Sequence, residues 1–187
     1  NFFGLDNATT KIGGIYGISN ALSVSLSRHT YQKTYEMGVK YRVLKQSDVK
    51  KIPFDVVGYH VLGINSELKK EIYPGIQLGD RLSYVSQLLI SRRFNENFSL
   101  QISPSFVHKN LINPDIDAKN NFLTGLGGRY KISKRVSINS EYFYQFNSKE
   151  FYKNPFSIGM DLDTGGHIFQ LLFSNSQPNT EAGYLTY

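Results

Sequence analysis

The feature that most constrains this 187-residue chain is an alternation of apolar and polar residues with a period of two, renewed about ten times along its length. In "RRFNENFSLQISPSFVHKN", for example, Phe98, Leu100, Ile102 and Phe106 fall on even positions, with Ser99, Gln101, Ser103 and Ser105 between them. A period of two puts alternate side chains on opposite faces of an extended strand, and no convincing 3.6-residue period runs beyond a turn or two. The chain therefore reads as all-β. Strands are predicted at 8–18, 21–31, 34–44, 54–64, 81–93, 97–108, 121–132, 136–146, 155–163 and 166–175, separated by Asn, Asp, Ser, Gly and Lys clusters.

Alternation alone does not say which face meets water, because a soluble β-protein turns its apolar face inward and a membrane barrel turns it outward. The polar face decides. Opposite Tyr35, Met37, Val39, Tyr41 and Val43 stand Glu36, Gly38, Lys40 and Arg42, and elsewhere that face is mostly Ser, Gly, Asn and Gln, as at Ser23, Ser25, Ser27, Gly125 and Gly127. Small polar residues suit a confined lumen better than a charged solvent surface. Strands of about eleven residues, tilted by ~40°, cross about 28 Å, which matches the apolar band of an outer-membrane barrel. No apolar run approaches the ~18 residues of a membrane-spanning helix, and mean hydropathy is −0.32. Aromatic residues collect at the strand ends: Tyr16, Phe94, Phe98 and Tyr130 near one end, Tyr35, Phe106, Tyr142 and Tyr144 near the other. They are candidates for two lipid-facing girdles, with Tyr and Phe filling the role alone because the chain has no Trp.

A short internal repeat supports this parsing. "ISNALSV" (18–24), "FNENFSL" (94–100) and "ISKRVSI" (132–138) share one pattern, which reads as a hairpin turn reused between descending and ascending strands. Links after strands 1, 5, 7 and 9 are very short, whereas those after strands 4, 6, 8 and 10 are long. Short turns at one end and long loops at the other are the signature of an up-and-down barrel. The link after strand 2 is the exception, being short on the long-loop side.

Composition excludes several function classes. With no cysteine, the chain offers no disulfide, thiolate metal site or Cys nucleophile. The net charge of +6 is dispersed, its longest basic runs being pairs such as Lys50-Lys51, so nucleic acid is not an expected partner. The opening "NFFGLDNATT" has neither the basic nor the apolar region of a secretion leader.

The stretches "NFFGLDNATTKIGGIYGIS", "QLLISRRFNENFSLQISPSFVHKN", "GLGGRYKISKRVSINSEYFYQFN", "NPFSIGMDLDTGGHIFQLLFSNSQ" and "TEAGYLT" together resemble a Bacteroidetes outer-membrane β-barrel family of unknown function. The resemblance covers nearly the whole chain. It implies an up-and-down antiparallel transmembrane β-barrel, with about ten strands in this segment and about twelve in an intact protein, as one domain over 1–187 shortened at both ends. It carries no catalytic residues.

Candidate sites are few. Lys40, Arg42, Arg93, Arg129 and Lys131 share the polar face near the short-turn end, a basic cluster in the lumen, and Glu36 and Glu141 are the inward acids, further up. Cations confined in low dielectric attract anions or pair with acids. His29, His60 and His108 are placed at long-loop ends, but His29 and His108 differ in parity, so no metal site is expected. "NPDIDAKNN" spaces Asn113, Asp115 and Asp117 like a calcium loop, yet Ala118 stands where Gly is needed and no closing Glu follows. "DLDTGGH", with Asp161, Asp163 and His167, is ordinary hairpin chemistry. No cofactor or catalytic residue is assigned. The leading reading is a non-enzymatic outer-membrane barrel, either a narrow, anion-preferring pore or a structural or docking subunit. Its partners would be outer-membrane lipid and lipopolysaccharide, and other envelope proteins in a complex. The alternatives are an outer-membrane lipid- or peptide-hydrolysing enzyme and a soluble lipocalin-like ligand-binding barrel.

Overall fold

The computed structural model describes residues 8–115, 117–147 and 153–186. Ten strands run in chain order: β1 (Lys11–Gly17), β2 (Leu22–His29), β3 (Tyr35–Leu44), β4 (Asp55–Ile64), β5 (Leu82–Arg93), β6 (Phe98–Lys109), β7 (Asn120–Lys131), β8 (Val136–Gln145), β9 (Phe156–Asp163) and β10 (Ile168–Ser174). Each pairs antiparallel with its sequence neighbours in one up-and-down sheet ordered β1 to β10. β1 and β10 pair on one side only, so the sheet is not closed.

The repeated heptads fold as one turn used three times. The N–H groups of Ile18 and Ser19 both donate to the carbonyl of Leu22; Phe94 and Asn95 donate to Phe98, and Ile132 and Ser133 to Val136. The polar second residue of each heptad caps the turn from its side chain. Asn95 Oδ1 accepts from the N–H groups of Asn97 (2.9 Å) and Phe98 (2.8 Å), Ser133 Oγ from Arg135 and Val136 (3.3 and 3.1 Å), and Ser19 Oγ from Ala21 (3.2 Å). The fourth hairpin, β9 to β10, instead places Gly165 at φ +92°, a conformation that Gly adopts without steric cost. Strand direction puts these four turns at one end of the sheet, together with the longer β3–β4 link, which folds on itself through a Ser47–Ile52 bridge.

Register assigns the two faces. The rungs Glu36–Gly63, Gly63–Ser83, Gly38–Val61, Val61–Val85, Val85–Val107, Val107–Asn121 and Leu123–Gln145 join residues on the inner face. The outer face carries Leu26, Met37, Ile102, Phe122, Leu126, Ile138, Tyr142, Tyr144, Met160 and Leu162, all exposed. An outer face so largely apolar is what a lipid environment requires.

Two expectations change. The inner face is not uniformly small and polar, since Val61, Val85, Val107, Leu123 and Phe143 form a buried apolar layer on β4 to β8. The residues after β10, expected to be a loop, instead turn back into the barrel and include a short helix, α1 (Glu181–Leu185), whose Ala182 and Leu185 complete that layer. An isolated helix of five residues has no stability of its own in water, so packing holds it here.

Candidate functional site: the occupied lumen

α1 begins at Thr180, whose hydroxyl accepts the Gly183 N–H (3.2 Å), and the backbone N–H of Tyr184 reaches the Thr180 carbonyl (2.8 Å). Gly183 is obligatory at this point, because a Cβ would lie 2.5 Å from Thr180 Oγ1 and 2.6 Å from Pro178 Cβ. Leu185 is almost completely buried, and Tyr184 meets Phe143 edge-on, with ring centroids 6.1 Å apart.

Polar anchors surround this apolar contact. On one side Glu36 accepts the Glu181 N–H (2.6 Å) and touches His29 Nε2 (2.7 Å) and Lys11 Nζ (3.6 Å), while His29 Nδ1 lies 3.1 Å from Asn179 Oδ1. The Glu181 carboxylate receives the Tyr59 hydroxyl (3.2 Å) and lies 3.8 Å from Lys11. On the other side the Tyr184 hydroxyl donates to Glu141 (2.8 Å) and sits 3.1 Å from Ser157 Oγ. Burial pushes the Glu181 carboxyl above its ordinary range; Glu36 acts in the same direction and Lys11 opposes. Burial also raises the Tyr184 hydroxyl. Glu36 and Glu141 therefore hold the segment after β10.

The five basic residues lie on the inner face at the short-turn half, by register, but each has its own surroundings. Arg129 donates from Nε and Nη2 to Ser137 Oγ (3.0 and 2.9 Å) and lies 3.7 Å from Asp161. Asp161 is thus a further inward acid, as Asp55 and Asp163 are by register, and it also accepts from Asn139 (3.0 Å) and Gln170 (2.8 Å). The sequence pattern hid Asp161 inside a motif that looked like turn chemistry. Lys40 Nζ stands 4.8 Å above the Tyr59 ring, and Arg42 donates to the Asn20 carbonyl in the β1–β2 turn (3.3 Å). At Arg93 the backbone is clasped by Gln46 through two 2.9 Å bonds, and Lys131 is exposed at the end of β7. Among the described residues, Lys40, Arg42, Arg93 and Lys131 have no carboxylate within 4.0 Å. Below the occupied segment a cavity of about 490 Å³ is lined by polar groups of Ser91, Gln101, Arg129 and Asn139 together with the apolar Leu100 and Leu172.

The aromatic candidates divide between two levels. Tyr16, Phe98 and Tyr130 project outward near the short turns, while Tyr35, Phe106, Tyr142 and Tyr144 project outward towards the long loops. Phe94 lies in the turn and stacks on Phe98 at 5.7 Å.

His60 is not at a strand end but midway along β4 on the outer face, where Nδ1 is 3.0 Å from Ser86 Oγ and Nε2 is 3.2 Å from the Tyr41 hydroxyl. This Ser–His contact on adjacent strands has a tyrosine where a triad places an acid or amide. The arrangement satisfies a polar ring in an apolar band. In the "NPDIDAKNN" loop Asp117 binds Lys109 (2.5 Å) and Asn113 Oδ1 accepts the Asp115 N–H (3.1 Å), a turn closed by its own groups. No cluster of three His, Asp or Glu suited to a metal occurs among the described residues.

No curated protein matches this chain. The model of the membrane bound beta barrel domain family (DUF5777) matches residues 1–187, so the chain belongs to that family of membrane-bound β-barrels.

Proposed function

We propose that this protein is a non-enzymatic outer-membrane β-barrel that is shut as folded, a structural or docking component of the cell envelope rather than an open pore. The observation that carries the reading is the segment 177–186, which fills the long-loop half of the lumen with apolar packing at Leu185 and bonds to Glu36, Glu141 and Tyr59. An ion crossing such a barrel would have to displace these contacts together. The outward aromatic levels suit contact with outer-membrane lipid and lipopolysaccharide, and the short turns suit the periplasmic side.

Planar-bilayer recording tests the proposal. The intact, folded protein is expected to be silent, and a chain carrying both Leu185→Ala and Tyr184→Phe is expected to conduct. Steady conductance from the intact protein would overturn the reading in favour of a pore.

A further inference from the structure

At the long-loop mouth a second cavity, of about 780 Å³, lies above the occupied segment, within the ~300–1,000 Å³ range typical of small-molecule sites. Its floor includes Ala182 and Gly183, and its apolar wall is made by Leu68, Leu82, Leu111 and Ile112. Arg81 also lines it. The backbone of Arg81 is fixed: its N–H donates to Leu78 (3.2 Å) and its carbonyl accepts from Asn65 (2.9 Å), where the 3-10 turn Gly79–Arg81 enters β5. Its side chain is not similarly satisfied. Nε is buried without a hydrogen-bond partner, the only such side-chain atom among the described residues. A buried donor left unpaired is costly, and a guanidinium fork is shaped for two oxygens of one anion.

The acids of the same wall are already engaged. Asp80 Oδ2 accepts the Gln77 N–H (2.8 Å), and Asp117 is bound to Lys109 (2.5 Å). Neither carboxylate bonds Arg81. We propose that this vestibule binds a small organic anion, a carboxylate or phosphate monoester on a short apolar body. The charged oxygens sit on Arg81, and the apolar body lies along Leu68, Leu82, Leu111 and Ile112. The inference is independent of whether the barrel conducts, because Arg81 and the four apolar side chains that would hold the anion lie outside the segment 177–186, which supplies only the floor.

The test is calorimetric titration of the folded full chain in detergent with hexanoate, hexyl phosphate and, as the uncharged control, 1-hexanol. At least one anion is expected to bind more tightly than hexanol, and Arg81→Gln is expected to weaken it by about tenfold or more. The stronger anion identifies the source as carboxylate or phosphate. Equal affinity in Arg81→Gln, or no advantage of either anion over hexanol in the intact protein, overturns the proposal. If Arg81→Gln folds poorly, Arg81→Lys keeps the charge and loses the fork. A severalfold loss of hexanoate or hexyl phosphate affinity is then expected, and unchanged affinity overturns the site.

Discussion

Gly125 on β7 shows how a single residue decides what the lumen can hold. A Cβ there would collide with the ring of Phe143, so only glycine lets that ring lie against the strand and offer its edge to Tyr184. Gly125→Ala forces the ring away and is expected to cost about 1–3 kcal/mol by overpacking, read as a lower unfolding midpoint in denaturant. Glu181 sets a pH dependence. Its raised value means that the docked state favours the protonated carboxyl, so its contribution to docking is full below the ordinary value of 4.5 and declines as pH rises from there through the raised value. Lys11, Glu36, Tyr59 and Lys40 all act on this carboxyl, and His29 touches Glu36. Glu181→Gln removes the titration and keeps an acceptor for Tyr59. Hydrogen exchange of the Tyr184 amide, taken as a ratio between variant and parent to cancel intrinsic exchange, is expected to show variant protection gaining with pH. A ratio flat across pH would refute this account.

At the scale of elements, the turns and the strands were legible and the occupied lumen was not. The heptad repeat predicted three equivalent turns because each needs an Asn or Ser to cap and an apolar residue on either side to begin a strand. The caps are unequal, however, since Asn95 accepts two N–H groups and Ser19 accepts one. Asn95→Ala is therefore expected to lower unfolding free energy by about 1 kcal/mol, and Ser19→Ala by less, in the same denaturant assay. Strand limits agreed within a few residues because period two ends where the polar clusters begin. The segment after β10 escaped because so short a stretch has no period of its own, and its structure comes from the wall. The signal was present on the other side of the contact, in the apolar residues that β4 to β8 carry on the supposedly polar face: Val61, Val85, Val107, Leu123 and Phe143. Leu185→Ala is expected to cost about 2–5 kcal/mol of docking, because it empties a site closed on all sides. Exchange of the Tyr184 amide should then accelerate while the ladder amides of β5 to β7 stay protected; joint loss of both would show that the segment and the barrel unfold as one unit.

For the molecule as a whole, two physical demands meet in the lumen. The outer face must be largely apolar, so charges have only the inner face and the ends to occupy. Glu36, Glu141 and Glu181 gather around the docked segment, whereas Lys40, Arg42, Arg93 and Lys131 lie towards the short turns without a carboxylate within 4.0 Å, Lys40 still near enough to act on Glu181. Asp161 offsets Arg129 at 3.7 Å, and Asp55 and Asp163 share the inner face of that half by register, so the other four cations outnumber the acids left there. When the segment is loosened by Leu185→Ala and Tyr184→Phe, ions crossing the barrel pass within about one Debye length of these cations, so their field is felt at ordinary salt. A weak preference for anions is expected, measured as the reversal potential in a KCl gradient. Replacing Arg42 and Arg93 together with Gln should move that potential towards zero, since both lie on the inner face and neither is held by an acid. Cation selectivity in the opened barrel would mean that the acids around the vacated site, rather than the short-turn cations, control the path, and would rule out this assignment.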